Sequence, residues 1–395
     1  MARTELQYMD AKSSKFWHIE LNGVAHTVTY GRIGTSGQTK TKTFATEDKA
    51  RADHDKLIRQ KRKKGYTDAA ASGDEGDGHL PAAAFGGALK GPETGNASTF
   101  IGKRVVTYKD NSGKTDGSVC YRIRADWDRD NFDEDLTNFL NGPCATTAQG
   151  LLIGAWSGES MYDTDSSQAV ETLVEHAARL PALFGLFLGD VSQEESELSW
   201  IQQSDVSPLL GAFPQLELLR VRGGEHLRLT SASHPKLRAL ALETGGMPVE
   251  VVRSVCGGAF PELEYLELWL GTQDYGGTSS VDDLKALLSG GIFPKLKYLG
   301  LRNCDYVDSL AGALVDAPIV KRIETLDLSG GTMTDAGGKA LLSLPTGGSL
   351  KRLNLYHHFM SEEMTRTLAG LKLAVEVGGR EAADEDDWRY VSIGE

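Results

Sequence analysis

The sequence predicts an α/β solenoid, in which stacked parallel strands alternate with helices or loops, preceded by a small α+β domain. Three observations predict it. A Leu-x-x-Leu-x-Leu pattern returns seven times between Leu183 and Leu355. Several copies open on Phe-Pro or His-Pro, at Phe213-Pro214, His234-Pro235, Phe260-Pro261 and Phe293-Pro294. Charge is segregated: residues 1–66 carry 14 Lys and Arg against 7 Asp and Glu, and the remainder carries 28 against 48. A basic part of net charge +7 is thus joined to an acidic body of −20, within a total of −13.

The first part has the signals of a complete small domain. Lys15-Phe16-Trp17-His18-Ile19-Glu20-Leu21 alternates as a strand does, and Asn22-Gly23 is a favoured two-residue hairpin turn. Val24 to Tyr30 reads as the second strand and Thr39 to Phe44 as the third, separated by the glycine-punctuated stretch 31–37. Thr46 then caps a helix whose first turn holds Glu47 and Asp48. Its last turn holds Arg59, Lys61, Arg62, Lys63 and Lys64, an order that complements the helix dipole, and Gly65 closes it.

Tyr30-Gly31-Arg32-Ile33-Gly34-Thr35, with an aromatic strand before it and a strand and helix after it, resembles the WGR domain over residues 1–66. That module occurs in poly(ADP-ribose) polymerases and in bacterial proteins of the MolR kind. Tyr30 stands where the family signature has Trp. In the polymerases the module contacts DNA near a break through its signature Trp and Arg, so the resemblance implies those roles for Tyr30 and Arg32. With the clustered cations, the candidate DNA contacts are Trp17, Tyr30, Gly31, Arg32, Lys40, Lys42, Arg59, Lys61, Arg62, Lys63 and Lys64. Phosphate contacts of this kind give salt-dependent affinity without base readout.

Residues 67–99 are rich in Ala and Gly and cannot bury a core, which predicts a flexible linker. From Arg104 to Tyr108 and from Val119 to Ile123 the chain reads as two strands of a hairpin that caps the body. Leu151-Leu152-Ile153 reads as a further strand, and Ser167–Ala178 as a helix. The repeats then begin at Leu183, Leu216, Leu237, Leu263, Leu296, Ile323 and Leu350. Helical spacing falls between them at Val281–Leu288 and Thr334–Leu342, and Leu371 to Val375 reads as a last strand. A period of 21 to 33 residues resembles that of leucine-rich repeats, over residues 100–380. One unit cannot bury its leucine edge alone, whereas stacked units can. Residues 381–395 read as an acidic, solubilising tail.

Little in the chain has the spacing of a catalytic or metal site. Asp126-Trp127-Asp128-Arg129-Asp130 starts like a calcium loop, but Asn131 and Thr137 stand where Gly and Glu are needed. Ser112-Gly113-Lys114-Thr115 has Tyr108 where a phosphate loop has its first Gly. His357-His358 reads as solvent or partner surface at a strand end. Neither a cofactor nor a metal is expected, and no enzyme. Cys120, Cys144, Cys256 and Cys304 are scattered, which suits free thiols in the cytoplasm. An uninterrupted apolar run of about 18 residues is absent, so no membrane span is expected.

On each repeat strand, residues alternating with the inward leucines face the other side. They are Arg220, Arg222, Glu243, Tyr265, Glu267, Trp269, Tyr298, Arg302, Asp327, Asn354 and Tyr356, rich in the Tyr, Trp and Arg that anchor interfaces. The expectation is a non-enzymatic adaptor: DNA on the basic domain, a protein partner on this row. The alternative is a purely protein-binding regulator whose basic module docks on an acidic protein or on its own solenoid.

Overall fold

The computed structural model describes residues 2–10, 13–32, 38–64, 66–68, 95–109, 115–129, 131–158 and 161–394. The chain divides into two compact units, Met1–Ala83 and Ala84–Glu395. Among the described residues no helix is long and apolar enough to cross a membrane.

The first unit is an antiparallel sheet of five strands with a helix. The strands are β1 (Ala2–Asp10), β2 (Ser13–Asn22), β3 (Ala25–Arg32), β4 (Gln38–Thr43) and β5 (Thr67–Asp68), in the order β4-β3-β2-β1-β5. Helix α1 spans Glu47–Lys63; Thr46 caps it by accepting a hydrogen bond from the Lys49 amide, as the sequence predicts. Alternation along β2 puts Trp17 and Ile19 into a core with Leu6, against which Val28, Tyr30, Leu57, Ile58 and Tyr66 pack. Two details differ from expectation. Asn22 pairs with Ala25, so the turn is Gly23-Val24, and Gly23 takes the left-handed φ of +55° that glycine adopts without strain. Strands β1 and β5 were not expected. Their pairing places Thr67 and Asp68 inside the domain, next to Gln7 and Leu6, rather than in a linker.

The second unit is built on a sheet of twelve strands: β6 (Thr99–Phe100), β7 (Lys103–Thr107), β8 (Val119–Ile123), β9 (Gly150–Ile153), β10 (Gly185–Leu188), β11 (Leu218–Arg222), β12 (Ala239–Glu243), β13 (Tyr265–Gly271), β14 (Tyr298–Cys304), β15 (Thr325–Asp327), β16 (Arg352–Asn354) and β17 (Ala374–Glu376). Strand order follows chain order, and every pair beyond β6–β7 is parallel. The helices between the later strands are α2 (Phe132–Asn141), α3 (Ser167–Glu175), α4 (Ser207–Ala212), α5 (Val249–Cys256), α6 (Lys285–Leu288), α7 (Val307–Val315), α8 (Asp335–Leu341) and α9 (Glu362–Ala369).

The repeat sets the register. The middle leucine of each motif pairs with the next, giving the ladder Leu186, Leu219, Leu240, Leu266, Leu299, Leu326, Leu353. These leucines join one continuous core with the apolar faces of the helices, such as Val251, Val252 and Val255 of α5 and Leu310 and Leu314 of α7. Phe213, Phe260 and Phe293 of the Phe-Pro steps are buried in it. His234 takes the same slot, its Nε2–H donating to the Phe213 carbonyl at 3.0 Å and its Nδ1 accepting from the Lys236 amide at 3.1 Å.

Three expectations are corrected here. Residues 104–107 and 119–122 form a parallel pair rather than a hairpin, because the sheet continues its parallel order outward to β7. Asn96 and Ala97 hold Asp190, through the Asn96 amide on its carbonyl and the Ala97 N–H on Oδ1 at 2.8 Å each, so the body begins before residue 99. The stretch after residue 381 is no free tail: Val391 and Ile393 are buried, and the Ser392 amide donates to the Gly330 carbonyl at 2.7 Å. The rest of the expected linker, 69–94, and most of the Ser112–Thr115 loop lie outside the described residues.

Candidate functional site

In the first unit, β3, β4 and α1 enclose a cleft of about 520 Å³ whose lining includes Trp17, His26, Tyr30, Lys40, Lys42, Lys61 and Lys64. Lys40 and Lys42 reach it because they alternate on one face of β4, and Lys61 and Lys64 because they are neighbours on one side of the last helical turn. Trp17 is buried beneath them. The Lys61 ammonium lies 5.5 Å from the Trp17 ring centroid and 4.6 Å from that of Tyr66. The Lys40 ammonium lies 5.9 Å from the Tyr30 ring centroid. Burial, then the charges of Lys64 and Lys15, push the Lys61 ammonium below the ordinary lysine value. An anion in the cleft would relieve that cost.

One wall carries a second charged group. His26 is 3% exposed and its Nε2 lies 2.8 Å from Asp53 Oδ2, which Lys42 also approaches at 3.2 Å. The His26 bond, outweighing burial, holds the Asp53 carboxyl below its ordinary value, with Lys42 acting in the same direction. His26 Nδ1 is buried and has no hydrogen-bond partner among the described residues. His26 was missed because a lone histidine on an alternating strand carries no spacing signal.

Of the sequence candidates, the fold thus brings together Trp17, Tyr30, Lys40, Lys42, Lys61 and Lys64. Gly31 pairs with Phe16 in the sheet and contributes no side chain. Arg59 and Arg62 are exposed and outside the cleft lining. Arg32 and Lys63 are described in their backbone only; their side chains lie outside the described residues.

In the second unit the row facing away from the leucine ladder differs from the open surface expected of it. Arg220, Arg222, Glu243, Tyr265, Glu267, Trp269 and Asp327 are all buried. They satisfy one another. Glu243 accepts from Arg220 Nε at 2.7 Å and from Arg222 Nε at 2.8 Å, and the Arg220 guanidinium stacks 4.4 Å from the Phe187 ring centroid. Glu267 is a hub: it accepts from Trp269 Nε1 at 2.7 Å, Arg302 Nη1 at 2.8 Å and Tyr298 Oη at 3.2 Å, and from the Tyr265 hydroxyl. The rings of Tyr265 and Tyr298 stack at 4.0 Å. Burial opposes the charge on Glu267, yet the Arg302 guanidinium and the donors around it hold the carboxyl below its ordinary value. Burial, followed by the Glu267 charge, raises the Tyr265 and Tyr298 hydroxyls well above theirs. Asp327 extends the chain of bonds to Tyr298 and Asn354, both at 2.9 Å. Tyr298, Arg302 and Asn354 are half-buried, and Tyr356 alone of the row is exposed, at 49%.

The histidine pair is also not surface. His358 is fully buried, its Nε2–H donating to the Val377 carbonyl at 3.0 Å and its Nδ1 accepting from the Met360 amide at 3.1 Å. His357 is buried too, with Nε2 3.1 Å from the Tyr390 carbonyl. Among the described residues no three His, Cys, Asp or Glu side chains are grouped to hold a metal ion.

Comparison with known proteins bears on both units. A family model for the WGR domain matches residues 2–73, so a WGR domain is present. Over 59 residues the chain is 44% identical to Uncharacterized protein YfeS of Escherichia coli K12, a match covering 15% of this chain and 24% of that protein. Protein YehF of the same organism is 40% identical over 63 residues, covering 16% of this chain and 23% of its own length. The chain therefore spans about a quarter of the length of the curated relatives it matches. A crystal structure of a protein from Bacteroides fragilis is similar over 100% of both chains, at 27% identity and a TM-score of 0.70.

Proposed function

We propose that the protein is a non-enzymatic adaptor: its WGR domain binds DNA through the lysine-lined cleft, and its sheet of repeats is a leucine-rich-repeat scaffold for a protein partner. The observation that carries the first half is the convergence of Lys40, Lys42, Lys61 and Lys64 with the aromatic rings of Trp17 and Tyr30 in one cleft. Cations supply affinity for phosphates, and a π-face suits a base or sugar at a strand end. The resemblance of the Tyr30-Gly31-Arg32 stretch to the family signature supports the same reading. For the scaffold, support comes from the in-register leucine ladder and the strand-by-strand stacking of the sheet. The end of the polar row that reaches solvent is Tyr356, beside the half-buried Asn354.

The test is fluorescence anisotropy of the full chain with a short duplex at low salt. Lys40→Ala with Lys61→Ala is expected to weaken binding at least tenfold, with circular dichroism unchanged. Tight binding by the double variant, or none by the wild type, would remove the DNA reading. The acidic body, −20 against +7, favours a second reading in which the basic domain docks on an acidic protein surface. That reading predicts that a polyanionic peptide competes for the cleft where duplex DNA does not.

A further inference from the structure

The polar row is closed at Trp269 by residues 392–394, and the way they are held has the features of peptide recognition. Asn303, near the end of β14, grips both main-chain groups of one residue. Its Nδ2 donates to the Ile393 carbonyl at 2.6 Å, and its Oδ1 accepts from the Ile393 amide at 3.0 Å. An asparagine amide carries one donor side and one acceptor side, so it can pair with a peptide unit as a neighbouring strand would. Asn303 holds a left-handed φ of +53°, a conformation that Asn tolerates better than most residues and that carries its side chain off the strand. The Gly330 carbonyl accepts from the Ser392 amide at 2.7 Å, and the Ser199 hydroxyl donates to the Gly394 carbonyl. The side chain of Ile393 enters a small apolar cluster with Leu198 and Trp269.

Glycine shapes both partners. A Cβ on Gly245 would lie 2.6 Å from the Gly394 carbonyl oxygen, and a Cβ on Gly394 would lie 2.9 Å from the Tyr275 ring. The body therefore leaves room for a bare main chain, and the bound stretch needs glycine after its aliphatic residue. The hydrogen bond to Ser392 is made to its backbone, with its Cβ close to Gly330, so the interaction reads an extended main chain, a small residue and one aliphatic side chain.

We propose that Asn303, Ser199, Leu198, Trp269 and Gly330 form a binding site for an extended segment of a partner protein, of the type small residue–branched aliphatic–glycine. Residues 392–394 of the chain itself occupy that site in cis and compete with the partner. The proposal rests on the scaffold reading only in taking the same row of the sheet as partner-binding, and it does not involve the DNA cleft. A cis segment held near its site acts at an effective concentration of about millimolar, so the intact chain takes up an external peptide poorly.

The experiment uses a fluorescent peptide of sequence Tyr-Val-Ser-Ile-Gly-Glu and measures anisotropy. Its arms are the intact chain, the full-length Ile393→Asp variant and a chain shortened to end at residue 387. Both opened forms are expected to bind at least tenfold more tightly than the intact chain. Asn303→Ala in the shortened chain, or Ile393→Ser within the peptide, is expected to abolish binding. Equal binding by opened and intact chains of native-like circular dichroism would overturn the proposal. So would a shortened chain that dimerises without taking up peptide, which would place a second copy on the site. The scaffold reading is tested separately, through Asn354→Ala and Tyr356→Ala at the open end of the row, so either can fail alone.

Discussion

Single residues in this protein are decided by whether their polar atoms find partners out of water. Glu267 carries its charge at 2% exposure because four donors surround it. Removing the charge takes from the Arg302 guanidinium its nearest carboxylate and leaves it Asp327 at 3.7 Å and the Ser329 hydroxyl. The cost should fall below the roughly 3–5 kcal/mol of a fully broken buried pair. Glu267→Gln is therefore expected to lower the denaturant midpoint with an unchanged m-value; a midpoint within error of wild type would contradict the hub. His234 and His358 give a pH prediction. Each donates from Nε2 and accepts at Nδ1 from a backbone amide, so each must be neutral. Burial pushes both imidazoles below the ordinary value of 6.5. A base whose folded pKa is depressed contributes stability that is complete above 6.5 and is lost as pH falls below it. Melting temperature should drop from pH 7 to pH 5, and His358→Gln should flatten that slope.

At the scale of elements, β-strands here are specified by packing rather than by propensity. The ladder from Leu186 to Leu353 is in register because slipping any strand by one residue would turn its leucines out of the core. Leu266, at its centre and fully buried, is a direct probe. Leu266→Ala is expected to cost about 2–5 kcal/mol, read as a lower urea midpoint, whereas Tyr356→Ala on the open end should leave it unchanged. Equal effects at both positions would refute a core built on the leucine side alone. The helix α1 shows the complementary case. Its cap and charge order are local chemistry and appear where the sequence places them. Strands β1 and β5 were not legible locally: β1 is fixed by pairing along its whole length with β2, and β5, two residues long, exists by pairing with β1.

At the scale of the molecule, the separation of charge governs association. A cleft that engages about four phosphates through its lysines should show log affinity for duplex DNA falling against log salt with a slope of about −3 to −4. The body's excess of acids, −20, repels DNA most at low salt, so it should weaken binding there and make the full chain's salt dependence shallower than the lysines alone would give. A slope near zero would sink the polyanion reading.

The leucine period, the Phe-Pro steps, the β2–β3–β4 order, the capped helix and the gathering of lysines at its end were all legible in the sequence, because each is set by spacing along the chain. What the sequence could not disclose is which side of the sheet meets water. Alternation assigns Glu267, Trp269 and Arg220 to the face opposite the leucines, but a polar residue on a strand reads the same whether it is wet or paired. Only the tertiary structure decided that most of this row is buried and mutually satisfied, and that residues 392–394 close it at Trp269. It alone placed His26 beside the lysines and His358 under the backbone. Periodicity is a property of neighbours in sequence, whereas the buried charges of Asp327 and Glu267 also need donors brought from 29 and 35 residues away.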